Sequence, residues 1–362
     1  MPDRTIKILV TDDSFFMRNI ITKMLGEVPE FTVIGTATDG VDLLQKLETL
    51  DPDVITLDIE MPKMDGLTAL ERLMTKKPTP VIILSSLAAE GAEATIRALQ
   101  LGAMDFVLKP SGSISLDLAK VKEDLFQKIR AAAKASVTSL KKYTSPMAKA
   151  PEKGPVQPSL PAGGKPLADS NKVVLIGSST GGPQALMQVI PKISASLSAA
   201  FLLVQHMPSG FTQSFAERLN ASTALEVREA QHGDEIREGV MLLAPGDQHM
   251  VVAEEKGRKV VHINQEPRVW GVRPSVDVTI NSAVHFFKER MVGVILTGMG
   301  YDGAKGISLI HKNGGKTIAQ NEETCVVYGM PKAAVETGCV DKVLPLSDIG
   351  DAINLLARSK TS

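Results

Sequence analysis

Two groups of residues in this chain have the types and spacing to do chemistry. The first is rich in carboxylates. Asp12 and Asp13 follow the apolar run "IKILVT", Asp58 ends "DVITLD", and Lys109 closes "DFVLK". A single Asp at a strand end is commonly a turn or cap residue. Several brought to one place repel one another unless a hard cation stands among them, and Mg²⁺, with its preference for octahedral oxygen ligands, suits such a set. Lys109 would bring a compensating charge to the same edge.

The second group begins in "KVVLIGSSTGGPQAL", residues 172–186, where an apolar run stops in small and hydroxylated residues and resumes as a helix pattern. Gly177 to Gly181 fit G-x-S-x-G, in which a serine is thrust out on a cramped strand-to-helix turn. Ser179 is the central position, and Pro183 suits the first turn of the helix that follows. A phosphate-binding loop is the competing reading, but the G-x-G-x-x-G and Gly-Lys-Ser/Thr spacings are missing. A serine needs a base to take its proton. Of the six histidines, His206 directly follows the strand pattern "AFLLVQ", at the same carboxyl edge as Ser179. His249 in "APGDQHM" comes second. His262, His285 and His311 sit inside strand or helix patterns and read as structural, and His232 reads as a loop residue. The base in turn needs a carboxylate to fix its tautomer. Asp302 in "VGVILTGMGYDGAKG" alone shares the pattern of an apolar strand followed by a small-residue loop, ahead of Asp277 and Asp247. The resulting order Ser, His, Asp differs from the Ser, Asp, His of α/β-hydrolases, which excludes a simple assignment to that superfamily.

These residues need elements to hold them. In the N-terminal half "IKILVTDD", "FTVIGTAT", "DVITLDIEMP", "PVIILSS" and "DFVLKP" read as strands separated by amphipathic helices. Five such βα units with right-handed crossovers predict a parallel sheet covered on both faces, with function in the loops beyond the strands' carboxyl ends. The C-terminal half repeats the grammar in "KVVLIG", "AFLLVQ", "GVMLLAPG", "MVVAEE", "KVVHIN" and "VGVILTG". It predicts a doubly wound, mostly parallel α/β domain, and the adjoining short strands from Gly239 to Asn264 suggest that part of its sheet is antiparallel. Residues 143–170 hold six prolines and almost no large apolar side chains. Such a stretch buries too little to offset its ordering entropy and reads as an extended linker between domains at 1–142 and 171–362.

A net charge of -1, with 43% apolar and 22% charged residues, fits a globular protein and offers no general attraction to nucleic acid or membrane. The N-terminus lacks the order of a signal peptide and no stretch has 18 uninterrupted apolar residues, so the chain reads as cytoplasmic, with no direct membrane insertion. Cys325 and Cys339 are too few for a disulfide framework, lack CxxC spacing, and read as buried apolar thiols.

"DDS" at 12–14, "LDIEMPKMDG" at 57–66, "SS" at 85–86 and "FVLKP" at 106–110 resemble a two-component receiver domain. The resemblance implies that Asp58 accepts a phosphoryl group from a histidine kinase, with Mg²⁺ held by Asp12 or Asp13, Asp58 and the backbone carbonyl of Glu60. It further implies that Lys109 pairs with the phosphoryl oxygens, that Ser85 hydrogen-bonds one of them, and that Phe106 is a switch aromatic. For Phe106 an immobile core position is the alternative. "IGSSTGGPQAL", "VQHMPSGFTQSFAERLN", "APGDQHM", "RPSVDV", "LTGMGYDGAKG" and "IAQNEETCVVYGMPKAA" resemble the chemotaxis protein-glutamate methylesterase family, CheB. That resemblance implies hydrolysis of glutamate methyl esters, and deamidation of glutamines, on methyl-accepting chemoreceptors. Ser179 would attack, His206 serve as base and Asp302 orient it, the backbone N–H groups of Thr180 and Met299 would form the oxyanion hole, and ester hydrolysis would need no metal. It also implies that the unphosphorylated receiver packs over the catalytic edge. Ser178 stands where the family commonly has alanine, and the proline-rich stretch is unlike a short family connector. The rival readings are a response regulator whose output half only binds DNA or a nucleotide, and a serine hydrolase of small metabolites. The net charge, the missing helix-turn-helix and the missing phosphate fingerprints weigh against binding.

Overall fold

The computed structural model describes residues 5–109, 115–134 and 164–358. They fall into two units, within Met1–Pro146 and Met147–Ser362. The first runs β1 (Ile6–Thr11), α1 (Phe15–Gly26), β2 (Phe31–Ala37), α2 (Gly40–Thr49), β3 (Val54–Asp58), α3 (Gly66–Lys76), β4 (Val81–Ser85), α4 (Ala89–Gln100), β5 (Asp105–Leu108) and α5 (Ser115–Lys134). All strand pairs are parallel, in the order β2-β1-β3-β4-β5. Every residue of β3 and β4 is buried, as expected of uninterrupted apolar strands with helices on both faces. The order reverses at β1, so the ends of β1 and β3 open onto the crevice where doubly wound sheets place their sites. Side chains set the helix starts: Ser14 Oγ accepts from the Met17 N–H, Asp39 from those of Val41 and Asp42, and Asp65 from that of Thr68. Gly66 lets the β3–α3 loop fold back over the strand end, since a Cβ there would lie 2.0 Å from the Asp58 carbonyl oxygen.

The second unit runs β6 (Lys172–Ser178), α6 (Gly182–Val189), β7 (Ala199–Gln205), α7 (Phe211–Ser222), β8 (Glu226–Glu229), β9 (Asp234–Glu235), β10 (Val240–Leu243), β11 (His249–Glu255), β12 (Arg258–Asn264), α8 (Val276–Phe287), β13 (Met291–Ile295), α9 (Ala304–Lys312), β14 (Lys316–Gln320), α10 (Met330–Glu336), β15 (Lys342–Leu344) and α11 (Leu346–Arg358). Seven strands form a parallel sheet in the order β15-β14-β13-β6-β7-β10-β8. The expectation of antiparallel pairing within this sheet is corrected. β10 pairs parallel with β7 and β8, and the antiparallel strands β11, β12 and β9 form a separate three-stranded sheet. The strand order reverses between β6 and β13, so their carboxyl ends flank the second crevice.

Most of the predicted linker, through residue 163, lies outside the described residues. Its last part does not behave as a linker. Pro166 bridges to Arg237, the Glu238 N–H donates to the Lys165 carbonyl at 3.0 Å, and Leu167 packs on the apolar core. The second unit is therefore already anchored at residue 164, not first at 171. Both cysteines are free. Cys325 is buried, and burial pushes its thiol pKa up. Cys339 is only half-buried, contrary to expectation. Among the described residues no helix is long and apolar enough to cross a membrane.

Candidate active site and acidic pocket

β6 and β7 pair in a register that sets Ser178 opposite Gln205, and the His206 N–H donates to the Ser178 carbonyl at 3.1 Å. Ser179 and His206 are thus the next residues outward on neighbouring strands. The turn that follows is tight: Gly181 has φ 74°, and a Cβ there would lie 2.5 Å from Val326 Cβ. Glycine meets both demands at once. The Gly182 N–H closes the turn onto the Ser179 carbonyl at 2.7 Å. On the other side of β6, β13 pairs in parallel, and the chain beyond it reaches Ser179. The Ser179 N–H donates to the Thr297 carbonyl at 3.1 Å. Gly298 lies so close that a Cβ on it would be 2.8 Å from Ser179 Cβ. Met299 is one residue beyond that contact, and Thr180 is the first residue past Ser179 on the α6 side.

Asp302, on the loop between β13 and α9, is buried and fully engaged. Its Oδ2 accepts from His206 Nε2 at 2.8 Å and from the Val276 N–H at 2.6 Å. Its Oδ1 accepts from Ser275 Oγ at 2.8 Å and from the Asp277 N–H at 3.0 Å. Two of these donors are the first N–H groups of α8, so the carboxylate also meets the positive end of that helix. Burial works to raise its pKa, but His206 and the surrounding donors outweigh it and hold the carboxyl below the ordinary range. With Nε2 committed to Asp302, the tautomer is fixed and Nδ1 is the nitrogen able to accept a proton.

The competitors have other occupations. His249 is buried, its Nε2 donates to the Pro267 carbonyl at 3.1 Å, and burial holds its pKa below the ordinary value. Asp277 accepts from the Gly306 N–H at 2.7 Å and from Trp270 Nε1 at 2.9 Å. Asp247 pairs with Arg268 and Arg273.

In the first unit, Asp12 and Asp58 are buried at the ends of β1 and β3, Asp13 is exposed, and one carboxylate oxygen of each lies within 4.8 Å of the others. Lys109 Nζ stands 3.0 Å from Asp12 Oδ2 and 2.7 Å from Asp58 Oδ2. Burial pushes the Asp58 carboxyl up to about 6, against the pull of Lys109 and with the help of Asp12. Both Oδ2 atoms are paired with this one ammonium. Three clustered carboxylates, two of them buried, carry more negative charge than Lys109 balances and fit a hard divalent cation. The Glu60 N–H faces Asp58 Oδ1 at 3.4 Å, which puts this residue's peptide at the pocket. Ser85 is close through its backbone, whose carbonyl accepts from the Lys109 N–H at 2.7 Å, but its hydroxyl is turned to α4, accepting from Thr95 Oγ1 at 2.6 Å. Phe106 is buried in β5, with the Lys128 ammonium 5.3 Å from its ring centroid.

The sequence pattern of the CheB methylesterase family matches residues 174–353, and that of the response regulator receiver domain matches residues 8–119. A protein-glutamate methylesterase/protein-glutamine glutaminase of Symbiobacterium thermophilum is 51% identical over 97% of this chain and 96% of its own length. This chain belongs to the CheB methylesterase family. A protein of the same description from Pyrococcus abyssi is 46% identical over 97% of this chain and 93% of its own. The crystal structure of the Thermotoga maritima CheB methylesterase catalytic domain matches with a TM-score of 0.51 and 43% identity, covering 52% of this chain and 99% of that domain.

Three supporting residues of this CheB methylesterase escaped the reading of the sequence. Gln205 is buried, and its Nε2 donates at 3.0 Å to the carbonyls of both Ser179 and His206, while its Oε1 accepts from Ser178 Oγ at 2.7 Å. One amide thus braces Ser179 and His206 together, and Ser178 completes the brace. The signal was there: a polar residue ending a wholly buried apolar strand must find partners. Ser275 caps α8 and donates to Asp302; a serine after Pro274 and before an apolar run is a helix-start pattern. Trp270, half exposed, donates to Asp277 and has the Lys305 ammonium 4.7 Å from its ring centroid. Nothing in its sequence neighbourhood points to that position.

Proposed function

We propose that this chain hydrolyses glutamate γ-methyl esters, and deamidates glutamines, on chemoreceptors in the cytoplasm, with Ser179, His206 and Asp302 as its machinery and phosphorylation of Asp58 as its control. The observation that carries this reading is the 2.8 Å contact of His206 Nε2 with buried Asp302, one strand from the Ser179 turn. Ser179 Oγ attacks the side-chain carbonyl carbon while His206 Nδ1 takes its proton. Asp302 stabilises the imidazolium that forms. The N–H groups of Thr180 and Met299 receive the oxyanion, and each such donor is worth roughly 3–4 kcal/mol. Collapse of the tetrahedral intermediate breaks the ester C–O bond, or the amide C–N bond of a glutamine, and His206 delivers its proton to the leaving group, which departs as methanol or ammonia. Water then attacks the acyl-serine with His206 again as base, freeing the carboxylate and Ser179.

In the receiver domain, Asp58 accepts the phosphoryl group from a histidine kinase. Asp12, Asp13 and Asp58, with the Glu60 carbonyl, would hold Mg²⁺, which when bound offsets the negative charge of the phosphoryl group. Lys109 turns from the carboxylates to the phosphoryl oxygens, and Ser85 redirects the hydroxyl hydrogen it now gives to the Ser86 carbonyl to one of them, a change that such added charge and acceptors favour. Phe106 is assigned the accompanying switch. The test is methanol release from methylated chemoreceptor, with and without Mg²⁺ and a small phosphodonor. The expected result is release that rises with phosphodonor and disappears in Ser179→Ala. Full activity in Ser179→Ala would reduce that serine to a structural turn residue. No release from either protein would favour a binding output domain.

A further inference from the structure

Away from the ester chemistry, the three-stranded sheet gathers a second set of side chains with ligating atoms. His262 lies on β12, Glu255 ends β11, and His232 precedes β9. β12 pairs with both partners, and the Gly233 N–H donates to the Val261 carbonyl at 2.8 Å, which brings the His232 turn against β12. The two imidazoles stack with centroids 4.4 Å apart and planes 17° from parallel. His262 Nε2 lies 2.6 Å from Glu255 Oε1. One ligand atom from each of the three residues lies within 4.8 Å of the other two.

We propose that His232, Glu255 and His262 form a binding site for a divalent transition cation of the Zn²⁺ kind, which pins the His232 turn to the β11–β12 hairpin. Two imidazole nitrogens and a carboxylate oxygen are a recurrent Zn²⁺ ligand set, with water completing the coordination. Imidazole favours Zn²⁺, Ni²⁺ or Cu²⁺ over Mg²⁺, so the site is chemically distinct from the all-carboxylate pocket of the receiver. The outer contacts hold the ring in place. His232 Nδ1 meets both polar groups of the Ile263 backbone, accepting from its N–H at 3.3 Å and lying 3.4 Å from its carbonyl, and a metal on Nε2 would select the tautomer in which Nδ1 donates to that carbonyl. His232 and Glu255 are exposed and His262 is half-buried, so small side-chain rotations can open the stacked pair around an ion. The stacked imidazoles would repel if both were protonated, whereas a cation between them and Glu255 satisfies all three.

The test is calorimetric titration of the full chain, without a polyhistidine tag, with ZnCl₂ in buffer containing excess Mg²⁺ to occupy the receiver pocket. The wild-type protein should bind a single equivalent in the micromolar range. His232→Ala/His262→Ala should lose it or bind roughly tenfold or more weakly. Zn²⁺ should also raise the unfolding temperature of the wild type but not of the double variant. Unchanged ester hydrolysis without Zn²⁺ would establish that the variant is folded. Absence of micromolar binding by the wild type, or equal binding by the folded double variant, would overturn the site.

Discussion

Asp302 has two attachments that one substitution can separate. It orients His206 and it accepts the first N–H groups of α8. Asp302→Asn keeps the shape but can no longer hold the Nε2-protonated tautomer, and kcat should fall by roughly 10³–10⁴ with KM little changed. Because the folded environment holds this carboxyl below its ordinary pKa, the carboxylate stabilises the fold above the unfolded value, and that contribution is lost as pH falls through the lower folded value. Thermal unfolding across the acid range should therefore show a weaker pH dependence in Asp302→Asn than in the wild type. Gln205 calls for a different pattern. Gln205→Leu leaves the Ser179 and His206 carbonyls and the Ser178 hydroxyl without the contacts it supplies, so both stability and the alignment of Ser179 with His206 suffer. Steady-state kinetics should show kcat reduced by about 10²-fold, as expected of a misplacement on the order of 1 Å. Ser178→Ala, which removes only the outer member of the brace, should lose far less.

Among the elements, the β6–α6 turn is the least tolerant. Gly181→Ala must hold a side chain at φ 74° and against Val326, and it should lower the unfolding temperature measurably and abolish ester hydrolysis together. The turn was readable because an apolar run that stops in glycines and small hydroxylated residues marks a chain reversal too cramped for larger side chains. The buried strands were readable because their apolar runs are continuous. The missed strands lacked that signal. β8 is "EVRE", charged at three of four positions, β9 is only "DE", β14 is "KTIAQ", polar at three of five, and β15 is only "KVL". The separation of β11 and β12 into another sheet was equally hidden, since alternation reveals a strand and not which sheet it joins. In the acidic pocket residue types were legible and orientation was not: Ser85 falls at the expected strand end, but the Thr95 hydroxyl decides where its own hydroxyl points. The end of the proline-rich stretch misled because composition reports the lack of large apolar groups, whereas Arg237 and Glu238 hold residues 164–166 through the backbone.

At the scale of the whole molecule, the two units carry separate charged centres, Asp58 in the first and Asp302 in the second. Asp58 is unfavourable to the receiver fold as a bare carboxylate. Its pKa is raised to about 6, so stability falls as pH climbs from the ordinary carboxylate value through that point, by about 3 kcal/mol at most once ionisation is complete. In metal-free buffer at neutral pH, Asp58→Asn should raise the receiver's unfolding temperature. Mg²⁺ should raise that of the wild type and leave the variant nearly unmoved, and the variant's methanol release should ignore the phosphodonor. The order of the large sheet carries a different consequence. Ser179 and His206 come from β6 and β7, close together in the chain, but Asp302 follows β13, which reaches its place beside β6 only after the entire α8 and β11–β12 region has been made. A nascent chain leaving the ribosome has a serine and a histidine but no buried carboxylate to organise them, and pairing over such a separation is slow to form. With Asp302 in its proposed role, esterase competence waits on the long-range pairing of β13 with β6. In refolding from denaturant, activity should return with the slowest structural phase.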